Sequence, residues 1–162
     1  MSQQKLISHS HIWHELVEEV DHLPVYISTP GRNGGPNWGS REFKDELTVS
    51  IHWHEYAEFI WLQGGHMTAV VQADTYELEP GDLLIINSGE LHMTRISQRP
   101  SYCPYVLMQL SAQRMGEYFP GRETLRFTTL IRRAELEKTP AILEPLTAMQ
   151  QLFEANQDGY QL

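Results

Sequence analysis

The sequence predicts a mostly β fold: a jelly-roll barrel with an N-terminal helix and arm before it and C-terminal α-helices after it. Three observations lead there. Between Leu47 and Leu110 short apolar runs are punctuated at even spacing by turn formers. A meander of that kind manages its exposed edges best when it closes as a jelly roll. Beyond Ser111 the apolar period lengthens from two residues to that of a helix.

Taken in order, Ile12, Trp13, Leu16, Val17 and Val20 recur at helical spacing, with Ser10 placed to cap and Pro24 to stop the run, which predicts a helix over Ile12–Val20. Val25–Ser28 reads as a strand. Thr29–Ser40 is rich in Gly, Pro and Asn and reads as a mobile loop between the N-terminal arm and the barrel. Leu47, Val49 and Ile51 then alternate with Thr48, Ser50 and His52, the pattern of a half-buried strand.

Further strands are expected at Glu58–Gln63, His66–Gln72, Thr75–Leu78, Leu83–Ile86, His92–Ile96 and Tyr102–Leu110. Gly64-Gly65, Ala73-Asp74 and Pro80-Gly81-Asp82 supply turns between them. In the tail, Ala112–Tyr118, Thr124–Glu137 and Ile142–Glu154 read as helical. Ile142, Leu143, Leu146, Met149, Leu152 and Phe153 form an apolar stripe that needs a partner, either the barrel or a second subunit. The organisation is thus residues 1–40 as helix and Gly-rich arm, 41–111 with 25–28 as barrel, and 112–162 as helical tail.

Bulk properties narrow the function classes. With 162 residues, 41% of them hydrophobic, the chain is long enough for one well-buried core. A formal charge of −9 without any Lys/Arg cluster opposes direct nucleic-acid contact by this segment. The single cysteine, Cys103, excludes an intrachain disulfide and fits a reducing, cytoplasmic setting. It reads as an inert packed thiol, with no base spaced to activate it. No long apolar run indicates a membrane span or signal peptide.

The chemistry concentrates in two short segments, His52-Trp53-His54-Glu55-Tyr56-Ala57-Glu58 and Gly89-Glu90-Leu91-His92. Side chains alternate along a strand, so His52 and His54 share a face, and a third imidazole from another strand can close the set. His52, His54, Glu58 and His92 make a three-histidine, one-carboxylate donor set that suits Zn, Ni, Fe, Co or Mn. Thr94, Tyr105 or Gln109 could orient the imidazoles. The same four residues could instead line a polar patch for an organic effector. Tyr56, Arg95, Gln109 and Trp38 are candidates to line the ligand pocket, whereas Trp53 and Trp61 are expected on the other side of the sheet. His9, His11, His14 and His22 lack a matching carboxylate at firm spacing and read as solvated surface, and His66 as a hairpin rim.

These segments carry a resemblance to the cupin superfamily, and within it to the sensing domain of AraC-family transcription regulators. The first cupin motif, HxH, three residues, Glu, six residues, Gly, is matched by His52, His54, Glu58 and Gly65, with Glu46 where the motif usually opens on Gly. The second is matched by Gly81, Gly89 and His92, with Asn87 in place of the usual Pro and Ile96 in place of the closing Asn. The texture of Glu-Pro-Gly-Asp-Leu-Leu-Ile-Ile-Asn before Glu-Leu-His is similar to the AraC subfamily over roughly Val25–Leu110.

That resemblance implies a small-molecule effector bound in the barrel and a homodimer formed through the C-terminal helices. It also implies DNA contact through a helix-turn-helix domain that is not in this chain. A metal-dependent cupin enzyme, such as a small dioxygenase or isomerase, is the alternative on the same four residues. A free-standing cupin that stores or senses a small molecule is a third reading.

Overall fold

The structure is a computed structural model that describes residues 13–14, 25–28, 47–96, 105–111, 113, 116–117, 120–121 and 126–155. Among these, β1 is Trp13–His14, β2 Val25–Ser28, β3 Leu47–Trp53, β4 Tyr56–Leu62, β5 Met67–Val71 and β6 Asp74–Leu78. They are followed by β7 Leu83–Ile86, β8 His92–Ile96, β9 Tyr105–Ser111, β10 Leu130–Ile131, α1 Arg133–Leu136 and α2 Pro140–Ala155. The strands form two five-stranded sheets, ordered β1-β3-β8-β5-β6 and β10-β7-β4-β9-β2. Apart from the parallel β1–β3 pair, every pairing is antiparallel, an architecture consistent with a jelly roll.

Two apolar layers hold the fold together. Ile60, Leu62, Met67, Ala69, Val71, Leu78, Leu84 and Ile86 form one cluster inside the barrel. Trp61, Leu83, Ile85, Val106 and Met108 point out of the second sheet and are covered by Leu136 and Leu146, with Leu143 and Met149 packed beside them. Every residue of β7 is therefore buried, which explains why Leu83–Ile86 is a continuous apolar run without alternation. Part of the stripe on α2 thus finds its partner in this barrel, while Ile142 stays exposed.

Turns fix the registers. Gly81 adopts a φ of 95°, its N–H donates to the Leu62 carbonyl at 2.7 Å, and the chain reverses so that β7 runs back beside β4. Asp82 is buried behind it. Its carboxylate accepts from the Glu79 N–H at 3.1 Å, from Arg132 Nη1 at 2.7 Å and from the first N–H of α1, that of Arg133, at 2.9 Å.

Two expected elements differ. Trp13 and His14, inside the expected helix Ile12–Val20, form a strand paired to His52 and Trp53. This pairing satisfies backbone groups that β3 would otherwise present at a sheet edge. Thr124–Glu137 was expected to be helical, yet Leu130–Ile131 is a strand on β7 and, of the described residues there, only Arg133–Leu136 is helix. The backbone there is paired sideways to the barrel: the Ile85 N–H donates to the Thr129 carbonyl at 2.7 Å, and Asn87 takes both polar groups of Phe127. Trp38, Cys103, the loop Thr29–Ser40 and His9, His11 and His22 lie outside the described residues.

Candidate metal centre

A register irregularity turns the HxH inward. Val49 pairs with Thr94 and His52 with His92, so three steps along β3 match two along β8, the signature of a bulge. Strict alternation would leave His52 on the face of Thr48 and Ser50, both exposed. The extra residue reverses the phase, and His52 and His54 are buried on the face they share with His92.

Each imidazole is fixed by a carbonyl two residues away. His52 Nδ1–H donates to the Ser50 carbonyl at 2.8 Å, His54 Nδ1–H to that of Tyr56 at 3.0 Å, and His92 Nδ1–H to that of Glu90 at 2.8 Å. A carbonyl only accepts, so the proton of each neutral ring sits on Nδ1 and the lone pair on Nε2. The three rings meet with centroids 4.1 Å apart for His52 and His92, 4.9 Å for His54 and His92, and 5.7 Å for His52 and His54. One ligand nitrogen from each lies within 4.8 Å of the others, a group able to hold a metal ion.

The fit of an ion is visible in His92, which is 1% exposed and whose Nε2 has no hydrogen-bond partner among the described residues. A buried lone pair without a proton donor is costly, and a metal ion supplies the missing partner. Burial pushes the His92 imidazole below the usual histidine range, against the Glu58 charge and the Glu90 carbonyl, and so keeps it in the form that ligates.

Glu58 lies beside the three histidines, on β4. Its Oε2 lies 3.1 Å from His54 Nε2 and accepts Gln109 Nε2–H at 2.9 Å. Burial acts to raise this carboxyl, but the His54 hydrogen bond, the charges of His54 and His92 and the Gln109 amide together hold it below the usual carboxylate range. His54 Nε2 and the Glu58 carboxylate thus face one another beside the His92 ring.

A family model described as Cupin domain matches residues 43–98. That segment, about a third of the chain, is similar to a cupin domain. That match takes in His52, His54, Glu58 and His92. The cupin segment is also similar to an uncharacterized HTH-type transcriptional regulator, YdeC, of Bacillus subtilis (strain 168). The two are 32% identical over 63 residues, 39% of this chain and 21% of the regulator. This chain therefore matches about a fifth of the length of that curated relative. Among solved structures, oxalate decarboxylase from Bacillus subtilis aligns with a TM-score of 0.37 at 14% identity, over 54% of this chain and 21% of that one. A conserved protein of unknown function from Streptococcus pyogenes, SPY1581, aligns at 0.38 and 10% identity, over 54% and 74%.

Within the barrel the expected site residues part company. Tyr56 shares the inward face of β4 with Glu58 and sits edge-on to His54 with centroids 6.4 Å apart. Gln109 faces inward from β9 but serves the carboxylate, and the imidazoles are oriented by backbone carbonyls. Arg95 corrects an expectation: it falls out of phase with His92 and Thr94 on β8, so it is exposed on the sheet's outer face. Ser111, which pairs with Tyr56 and is buried, was not foreseen, and neither was the role of Asn87. The Asn87 position did carry a signal, since a residue with both a donor and an acceptor stands where the motif has proline.

Proposed function

We propose that this cupin domain is the ligand-sensing and dimerisation domain of an AraC-type transcription regulator. In this reading a small-molecule effector enters the barrel at a divalent metal held by His52, His54 and His92, with Glu58 as the adjacent carboxylate. The observation that carries the reading is the convergence of three buried imidazoles, each with Nδ1 committed to a carbonyl and Nε2 directed into one space. The similarity of the cupin segment to an HTH-type transcriptional regulator supports regulation as the use of that centre.

When bound, the ion would act as a Lewis acid that grips an oxygen or nitrogen donor of the effector. Tyr56 would contact the effector beside His54, and Gln109 would hold Glu58 ready as a hydrogen-bond acceptor. Signal transfer would run to the helices that cover the second sheet, with α2 and its exposed Ile142 as the surface toward a second subunit. DNA would be met by a separate domain, in keeping with the acidic charge of this one.

The test is a screen of small carboxylates and polyols on Zn(II)-loaded protein, with ligand recovery measured after incubation. A sensor stabilises on binding and returns its ligand unchanged, whereas turnover that His54→Ala abolishes would establish the metal-dependent enzyme instead.

A further inference from the structure

The turn that delivers His92 is bonded in three directions. Toward the HxH, Gly89 N–H donates to the His54 carbonyl at 2.9 Å and Ser88 Oγ–H to that of Glu55 at 2.9 Å. Toward the centre, the Glu90 carbonyl holds His92 Nδ1–H. Toward the tail, Asn87 Oδ1 accepts the Phe127 N–H at 2.6 Å while Nδ2–H donates to the Phe127 carbonyl at 3.2 Å.

Asn87 is 4% exposed, and its side-chain amide stands in for a neighbouring strand by meeting one donor and one acceptor of the same residue. Glu90 locks that amide, since its Oε2 accepts from Asn87 N–H at 2.9 Å and from Nδ2–H at 3.2 Å. Arg126 adds Nη1–H to the Ser88 carbonyl at 3.1 Å and lies 3.6 Å from Glu90 Oε1. Past Phe127 the chain continues through the Thr129 carbonyl and β10 to Arg132 and Arg133 on Asp82, where α1 begins.

Resting on the metal reading above, we propose that the turn 87–92 is a relay, with Asn87 and Glu90 as positioning residues. It joins occupancy of the three-histidine centre to docking of segment 126–131. The amide has two states and no continuum between them: rotated by half a turn it sets donor against donor at the Phe127 N–H and acceptor against acceptor at its carbonyl. An ion on His92 Nε2 fixes the ring, the ring fixes the Glu90 carbonyl, and Glu90 holds Asn87 in the state that docks the tail. Such coupling is reciprocal, so a docked tail tightens the metal site by the factor by which metal tightens docking.

The test uses Co(II) alone on the full chain. Its binding is read by visible absorption, and hydrogen exchange is followed over residues 126–131 in the wild type, Asn87→Ala and the exposed-site variant Arg126→Ala. The expected result is that Co(II) slows exchange of this segment in the wild type by about tenfold, a typical coupling factor. Asn87→Ala abolishes the slowing and weakens Co(II) by that same factor, and Arg126→Ala, which keeps the buried amide clamp, loses only part of both. Wild-type protein that binds Co(II) with no change in exchange would overturn the relay, as would an Asn87→Ala protein whose exchange slows as in the wild type. Wild-type protein that binds no Co(II) would overturn the metal reading and the relay with it.

Discussion

Gln109 and Glu58 stand directly opposite one another on β9 and β4, and across 51 positions of sequence the amide donates to the carboxylate at 2.9 Å. The bond joins the last barrel strand to the carboxylate beside His54, so Gln109 both holds the sheet's inner polar patch together and aims Glu58 at the imidazoles. Gln109→Leu removes the donor and leaves a buried carboxylate oxygen short of a partner. Chemical denaturation of the metal-free protein should record a loss of about 1–3 kcal/mol. Gln109→Glu should cost more at neutral pH and regain part of that loss on acidification, because two facing carboxylates cannot both stay ionised cheaply.

Acid should destabilise the metal-free protein in two steps of the same sign. His92 is held below its ordinary value of 6.5, so below that pH the unfolded chain takes up a proton that the folded chain resists, and stability falls as pH drops. Glu58 is held below its ordinary value of 4.5. Its contribution is present above that pH and is lost as pH falls through the folded-state value. Midpoints of urea denaturation from pH 8 to pH 2 check both, and in His92→Phe the upper step should vanish.

Glycine substitutions should separate backbone strain from crowding. Gly89 has a φ of 78° with nothing within 4 Å of an added Cβ, so Gly89→Ala should cost about 1–2 kcal/mol from the backbone alone. At Gly81 a Cβ would also lie 2.6 Å from the Arg133 Cδ. Gly81→Ala should therefore cost at least as much and also displace the Arg133 side chain, which thermal denaturation of the double variant with Arg133→Ala would reveal as non-additivity.

Asp82 is the anchor by which the tail grips the barrel. Asp82→Ala orphans the Arg133 N–H and the Glu79 N–H together and should lower stability by about 2–3 kcal/mol. Arg132 is half-exposed, so Arg132→Ala should cost less than 1 kcal/mol, roughly the worth of a surface ion pair. Limited proteolysis should cut Asp82→Ala within residues 126–140 well before it cuts the wild type.

How far the sequence reveals this site depends on the range of the interaction. The strands of the barrel follow from period-two patterning and turn chemistry, and Val25–Ser28, Leu83–Ile86 and His92–Ile96 are expected and found with the same bounds. The inward aim of His52 is not legible, because regular alternation places it with Thr48 and Ser50 until a bulge changes the phase. The orienting carbonyls escape notice because every residue has one and only the backbone path selects it. Segment 126–131 misleads for a related reason: Phe127, Leu130 and Ile131 sit at spacings that a helix and a packed extended chain share, and a side chain 40 positions away settles the choice. Arg95 shows the converse, where a candidate for the pocket is turned outward by the pleat of β8.

The centre itself is tested most directly by elemental analysis of the protein purified without a polyhistidine tag, alongside His92→Ala. A metal centre predicts one equivalent of a transition metal per chain in the wild type and loss of it in the variant. Metal well below one equivalent in the wild type after incubation with Zn(II) and gel filtration, or an equal content in both proteins, would contradict it.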